Sequence, residues 1–170
     1  MPIFGDADDL TATDAATLAP ISMARIASAL ETLEINYGTD DDGDFIAGFD
    51  GNPMWFQVTG PTNEPIAFSA NARWKATLPA DEIDVALRLV NEWNSTQMFP
   101  RALCVEDEGG EVVFGADYTC DYEFGVTDLQ LRNDITIAVT TAINLFESLE
   151  ERFPEAVEAF EAELQNGPDA

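Results

Sequence analysis

The stretch Val90-Asn91-Glu92-Trp93-Asn94, followed closely by Phe99-Pro100, decides how this chain folds. Upstream of it, Ile83, Ala86, Leu87 and Val90 recur at helical spacing. Downstream, Arg101 to Glu106 reads as a strand. The segment therefore ends an amphipathic helix and turns the chain into a sheet. Asparagine is favoured past a helix end because it tolerates left-handed backbone. Asn91 and Asn94 thus read as a helix stop, and Trp93 as an indole packed between helix and sheet. The other reading of these three residues is a ligand or partner site.

Upstream, Leu78-Pro79-Ala80-Asp81-Glu82 starts that helix, with Pro79 at the first helical position, where a missing N–H costs nothing. Three strands precede it. Phe45, Ala47 and Phe49 alternate in the first, and Asp50-Gly51-Asn52-Pro53 turns the chain. Met54, Phe56 and Val58 alternate in the second against Trp55, Gln57 and Thr59. In the third, Ile66, Phe68, Ala70, Ala72 and Trp74 oppose Ala67, Ser69, Asn71, Arg73 and Lys75. Strict alternation means an antiparallel sheet with one buried and one wet face. Earlier still, Pro20 opens a helix that runs to about Glu34 on Ile21, Ala24, Ile26, Ala27, Leu30 and Leu33. Residues 1–16 read as a mobile acidic tail.

Past the central stretch, Asp107 to Gly110 turns into a long strand from Val112 to Tyr122. Thr127-Asp128-Leu129-Gln130 fits a capping box, and the helix it opens runs to about Arg152. Phe153-Pro154 breaks it before a short last helix, and residues 166–170 form a tail. The expected fold class is α+β: a twisted antiparallel β-sheet of about five strands with helices packed on it, in the order α-β-β-β-α-β-β-α. Residues 17–165 form a single domain.

Composition narrows function. The chain has 170 residues, with 33 acidic against 7 basic ones and a net charge of −26. Such a surface repels phosphate backbones and anionic membranes, so neither nucleic acid nor membrane is an expected partner. There is no histidine. Ser-His-Asp and Cys-His machinery and histidine-containing zinc sites are excluded. Met1 to Leu10 has no apolar run and does not read as a signal peptide. Two cysteines, Cys104 and Cys120, fit a reducing cytoplasm and lie too far apart along a hairpin for a disulfide.

The acidic turns fail as calcium loops. With Gly43 or Gly109 at the sixth position, the first position falls on Gly38 or Cys104 and the twelfth on Phe49 or Gly115, none of them acidic. No catalytic, cofactor or metal constellation emerges. The wet sheet face is the most suggestive feature. Trp55, Gln57, Arg73 and Lys75 point one way there, as a partner platform or a surface covered by the chain itself.

The element order, read with Leu78-Pro79, Val90-Asn91-Glu92-Trp93-Asn94, Phe99-Pro100, Gly125-Val126-Thr127 and Phe153-Pro154, resembles the YbjN family. That is a bacterial family described as sensory transduction regulators. The resemblance covers about Pro20 to Pro154. It implies a fold similar to that of type III secretion chaperones, commonly a dimer, and brings no catalytic residues. The expected function is a non-enzymatic cytoplasmic protein-binding module, chaperone-like or regulatory, that holds a protein segment on its sheet face or helix groove. The alternative is an acidic decoy or inhibitor that binds a basic protein partner by charge. A homodimer is expected, since an apolar interface outweighs repulsion between charges screened beyond about 8 Å.

Overall fold

A computed structural model describes residues 17–61 and 65–166. The tails expected at 1–16 and, beyond Asn166, at 167–170 lie outside the described residues. The first helix, α1 (Met23–Thr32), leads into strands β1 (Gly38–Thr39), β2 (Phe45–Phe49), β3 (Asn52–Thr59) and β4 (Ala67–Pro79). A single 3-10 turn, Ala80–Glu82, precedes α2 (Ile83–Thr96). Strands β5 (Arg101–Glu106) and β6 (Glu111–Asp121) follow, then α3 (Asp128–Arg152) and α4 (Pro154–Gln165). The architecture is α+β. The antiparallel sheet has six strands in the order β1-β2-β3-β4-β6-β5, the two-residue β1 being the one beyond the expected five.

Alternation sets the sheet's two faces. Phe56, Phe68, Trp74, Val112 and Phe114 point into the helical layer and are fully buried. Ile21, Ile26 and Leu30 meet them from the segment around α1, and Leu131, Ile135 and Ala138 from α3. The β2–β3 hairpin closes through Asp50-Gly51, whose φ values of 51° and 85° mark a two-residue turn of the type that matches strand twist. Gly125, at φ 93°, lets the chain pass beside Ala19, where an added Cβ would lie 3.1 Å from the Ala19 carbonyl oxygen. There Ala19 and Val126 pair as an isolated bridge.

Helix starts depart from expectation twice. Ser22, not Pro20, caps α1: its side chain accepts from the Arg25 N–H. Pro79 closes β4 rather than opening α2, because its ψ of 151° is extended and it pairs with Glu111. In α2 only Ala86 is buried, and Leu87 of the expected stripe is 45% exposed.

The third helix follows its signature. The Thr127 hydroxyl accepts from the Gln130 N–H at 3.1 Å, and the Gln130 side chain accepts from the Thr127 N–H. Thr127→Ala is expected to lower stability by about 1 kcal/mol, read as a shift in the urea midpoint. An unchanged midpoint would place the helix start elsewhere.

Candidate functional site

All four helices pack on one face of the sheet, α1 against β3, α2 against β5, α3 against β6 and α4 against β4. The opposite face carries no helix among the described residues. Cross-strand register arranges it in rows. One row runs Ile46, Trp55, Asn71, Asp117, Arg101. The next runs Gln57, Ser69, Thr119. Directly opposed side chains on one face lie close enough to interact, and here they form one chain of hydrogen bonds. Gln57 donates to Asp44 at 2.6 Å, and Asn71 donates to Gln57 and Ser69 at 3.3 and 3.1 Å. Ser69 meets Thr119 at 3.1 Å, Thr119 donates to Asp117 at 3.0 Å, and Arg101 pairs with Asp117 at 2.7 Å. Trp55 stands half-buried in this band. Leu103 and Val105 of β5, 40% and 59% exposed, form its apolar end.

Of the expected surface residues, Trp55, Gln57 and Arg73 share this face. Arg73 is exposed and its guanidinium lies 3.8 Å from Asp107. Lys75 does not join them. Between Arg73 and Thr77, β4 carries an irregularity in which four residues of β4 pass two of β6. The Lys75 N–H is held by the Asn52 side chain at 2.8 Å. Its ammonium reaches Glu150 of α3 at 2.7 Å and the Asp50 carbonyl at 3.1 Å. Lys75 therefore belongs to the helical side. Asn52, buried at 5% exposure, was not legible as an anchor, because in sequence it looks like part of the turn.

The central stretch also differs in detail. The helix does not stop at Asn91; it continues to Thr96. Asn91 is exposed. Trp93 is half-buried, and its Nε1 donates to the Pro100 carbonyl at 3.1 Å. Asn94 is helical, not left-handed. Its amide donates to the Ala102 carbonyl at 3.0 Å and accepts from the Ala102 N–H at 2.9 Å. Trp93 and Asn94, but not Asn91, fix the turn across the cis Phe99–Pro100 bond by side-chain hydrogen bonding rather than by helix termination.

A second polar cluster lies between sheet and α3. The Tyr118 hydroxyl donates to Asp134 at 2.8 Å, and the Tyr122 hydroxyl donates to the other oxygen of the same carboxylate. The sequence does hold a signal for it: Tyr118 and Tyr122 share a strand face, and Asp134 adjoins the buried stripe residue Ile135. Burial pushes both phenols well above the ordinary range, and the hydrogen bonds to Asp134 and its charge add to this. Burial likewise raises the thiols of Cys104 and Cys120, which are both free.

A group whose folded pKa is raised adds stability that is present below its unfolded pKa and lost above it. For these phenols the loss begins above about pH 10. The melting temperature is expected to fall there, and to fall less in Tyr118→Phe/Tyr122→Phe, as measured by melts across pH. Equal alkaline losses in both proteins would remove the phenols as the cause.

Among the described residues, no three His, Cys, Asp or Glu side chains converge as a metal site would require. Among the same residues, no helix is long and apolar enough to cross a membrane.

Residues 22–151 match the YbjN family, described as "Putative bacterial sensory transduction regulator". No curated protein matches. Among solved structures, the chain is similar to the crystal structure of YbjN, "a putative transcription regulator from E. coli", with a TM-score of 0.66 and 12% identity. The likeness covers 80% of this chain and 97% of that one. At that identity it speaks to the fold.

Proposed function

The chain belongs to the YbjN family, and from that premise we propose that it is a non-enzymatic regulatory module that holds a segment of a partner protein on its open sheet face. One observation carries the reading: every helix packs on the other side, so six strands present an organised surface with nothing over it among the described residues. The face is ordered before any partner arrives, because its polar side chains already bind one another. Preorganised groups lose little freedom on binding. Trp55 supplies a rigid aromatic anchor beside them, of the kind that dominates interfaces.

Charge favours this face too. On this face Arg73 and Arg101 offset two of the three carboxylates Asp44, Asp107 and Asp117, on a molecule whose net charge is −26. A second copy of the chain is the alternative occupant, since two such faces meet with little repulsion.

The test is capture from native cell extract at low and high salt, using wild-type chain and Trp55→Ala. A partner held on the face stays bound at high salt and is lost from the variant. Capture that salt dissolves and Trp55→Ala leaves intact points to the diffuse acidic surface and overturns the reading. Light scattering of both proteins identifies the second copy, by a dimer mass that Trp55→Ala abolishes.

A further inference from the structure

The last helix is anchored at its start and packs on β4 through Ala156, Val157 and Phe160. Phe153 packs against Trp74 and Phe114 with ring centroids 6.3 and 6.1 Å apart, and Pro154 then opens α4. No residue of α4 is buried; Ala156, Val157 and Phe160 are half-buried. Between α4 and the second half of β4 lies a cleft of about 1040 Å³. Small side chains are among those that line it: Ala76 on β4, Ala156 and Ala159 on α4. Ligand pockets range up to about 1000 Å³, so this one takes a peptide side chain together with its backbone.

The rim is acidic. Glu82, Glu111, Glu155 and Glu163 reach it from four places along the chain. Of the two cations there, Lys75 is committed to Glu150 at 2.7 Å, leaving Arg152 against four carboxylates. Glu155 and Glu163 stand at the two ends of one face of α4, with Ala159 and Phe160 between them. Eight residues of helix span about 12 Å. An extended segment covers that distance in about four residues, and its alternate side chains share one side.

We infer that this cleft binds an extended segment of a partner protein with lysine or arginine at both ends of a five-residue stretch and an apolar residue at its centre. The end cations meet Glu155 and Glu163. The central side chain enters the alanine-walled gap against Phe160. The cleft lies in the helical layer, so its occupancy does not depend on the open sheet face.

The probe is a labelled five-residue peptide with lysine at both ends, leucine at the centre and serine between, followed by fluorescence anisotropy on the full chain. Control peptides carry serine at the centre or glutamate at the ends. Saturable binding is expected for the lysine–leucine peptide alone. Glu155→Gln/Glu163→Gln should weaken it up to about tenfold, the sum of two partly exposed ion pairs. Ala159→Trp should block it by filling the gap. All three positions are exposed, so the variants keep the fold. The inference is overturned if the lysine–leucine peptide shows no saturable binding. It is equally overturned if leucine- and serine-centred peptides bind alike and Ala159→Trp changes nothing, which leaves only the diffuse charge of the molecule.

Discussion

Trp74→Ala is expected to cost about 3–5 kcal/mol, the usual loss for truncating a large buried aromatic. The indole is 1% exposed and packs edge-on against Phe114 with centroids 5.8 Å apart, and against Phe153 at 6.3 Å. The cavity would open where β4, β6 and the α3–α4 junction meet, so no single element can collapse into it. One feature lowers the loss for a gentler change. The Trp74 Nε1 is buried without a hydrogen-bond partner, and such a donor costs about 1–3 kcal/mol. Trp74→Phe removes that donor along with part of the ring, so its net loss should be less than half that of Trp74→Ala. Urea midpoints for the two variants decide it; a Trp74→Ala loss below about 1 kcal/mol would mean that the site repacks. Trp93→Ala should cost less than Trp74→Ala, about 1.5–3 kcal/mol, because its indole is only half-buried.

Arg25→Ala is expected to cost about 2–3 kcal/mol, although the side chain sits near the surface. Its guanidinium donates to the Ala19 carbonyl at 2.6 Å, the Pro20 carbonyl at 3.1 Å and the Val126 carbonyl at 2.8 Å, and it forks onto Asp128. One side chain thus joins α1, the segment before it and the start of α3. The ion pair itself contributes little, since Asp128 is 57% exposed and exposed pairs are worth about 0–1 kcal/mol. Most of the loss comes from three carbonyls that lose a charged donor. Asp128→Ala should therefore cost less than Arg25→Ala. Arg25→Lys should recover only a part, because an ammonium cannot fork in a plane. Equal urea midpoints for wild type and Arg25→Ala would show that water replaces the guanidinium.

The strands and α3 were legible because each rests on a local rule. Alternation places Phe56 and Phe68 on one face and Gln57 and Ser69 on the other. The Thr127–Gln130 pair fixes the start of α3, and Phe153-Pro154 fixes its end. What escaped depends on contacts between distant segments. Lys75 obeys the alternation of β4 in sequence, and only the irregularity against β6, with Asn52 holding its N–H, carries it to Glu150. Asn94 has the composition of a helix stop, yet the backbone eight residues on claims its amide. For the open face, Trp55 could be placed by alternation. The bonds that link Asp44 to Arg101 needed the register of four strands, β3, β4, β6 and β5, which no single strand contains.

The pairing of Asn94 with Ala102 bears on how the sheet ends. The outermost strand, β5, carries Leu103, Cys104 and Val105 in a row, a composition that invites a foreign strand to add itself and template aggregates. Ala102 lies opposite Ala116, and its N–H and carbonyl are the pair bound by Asn94 rather than by β6. The amide of Asn94 engages Ala102 through one N–H and its oxygen, as a peptide group would. It occupies one of the edge positions that an incoming strand would use. Arg101 and Glu106 place a charge at each end of the same strand, as gatekeepers do around sticky segments. A single side chain from a helix thus takes the place of one residue of a seventh strand, without covering the face that β5 helps to build.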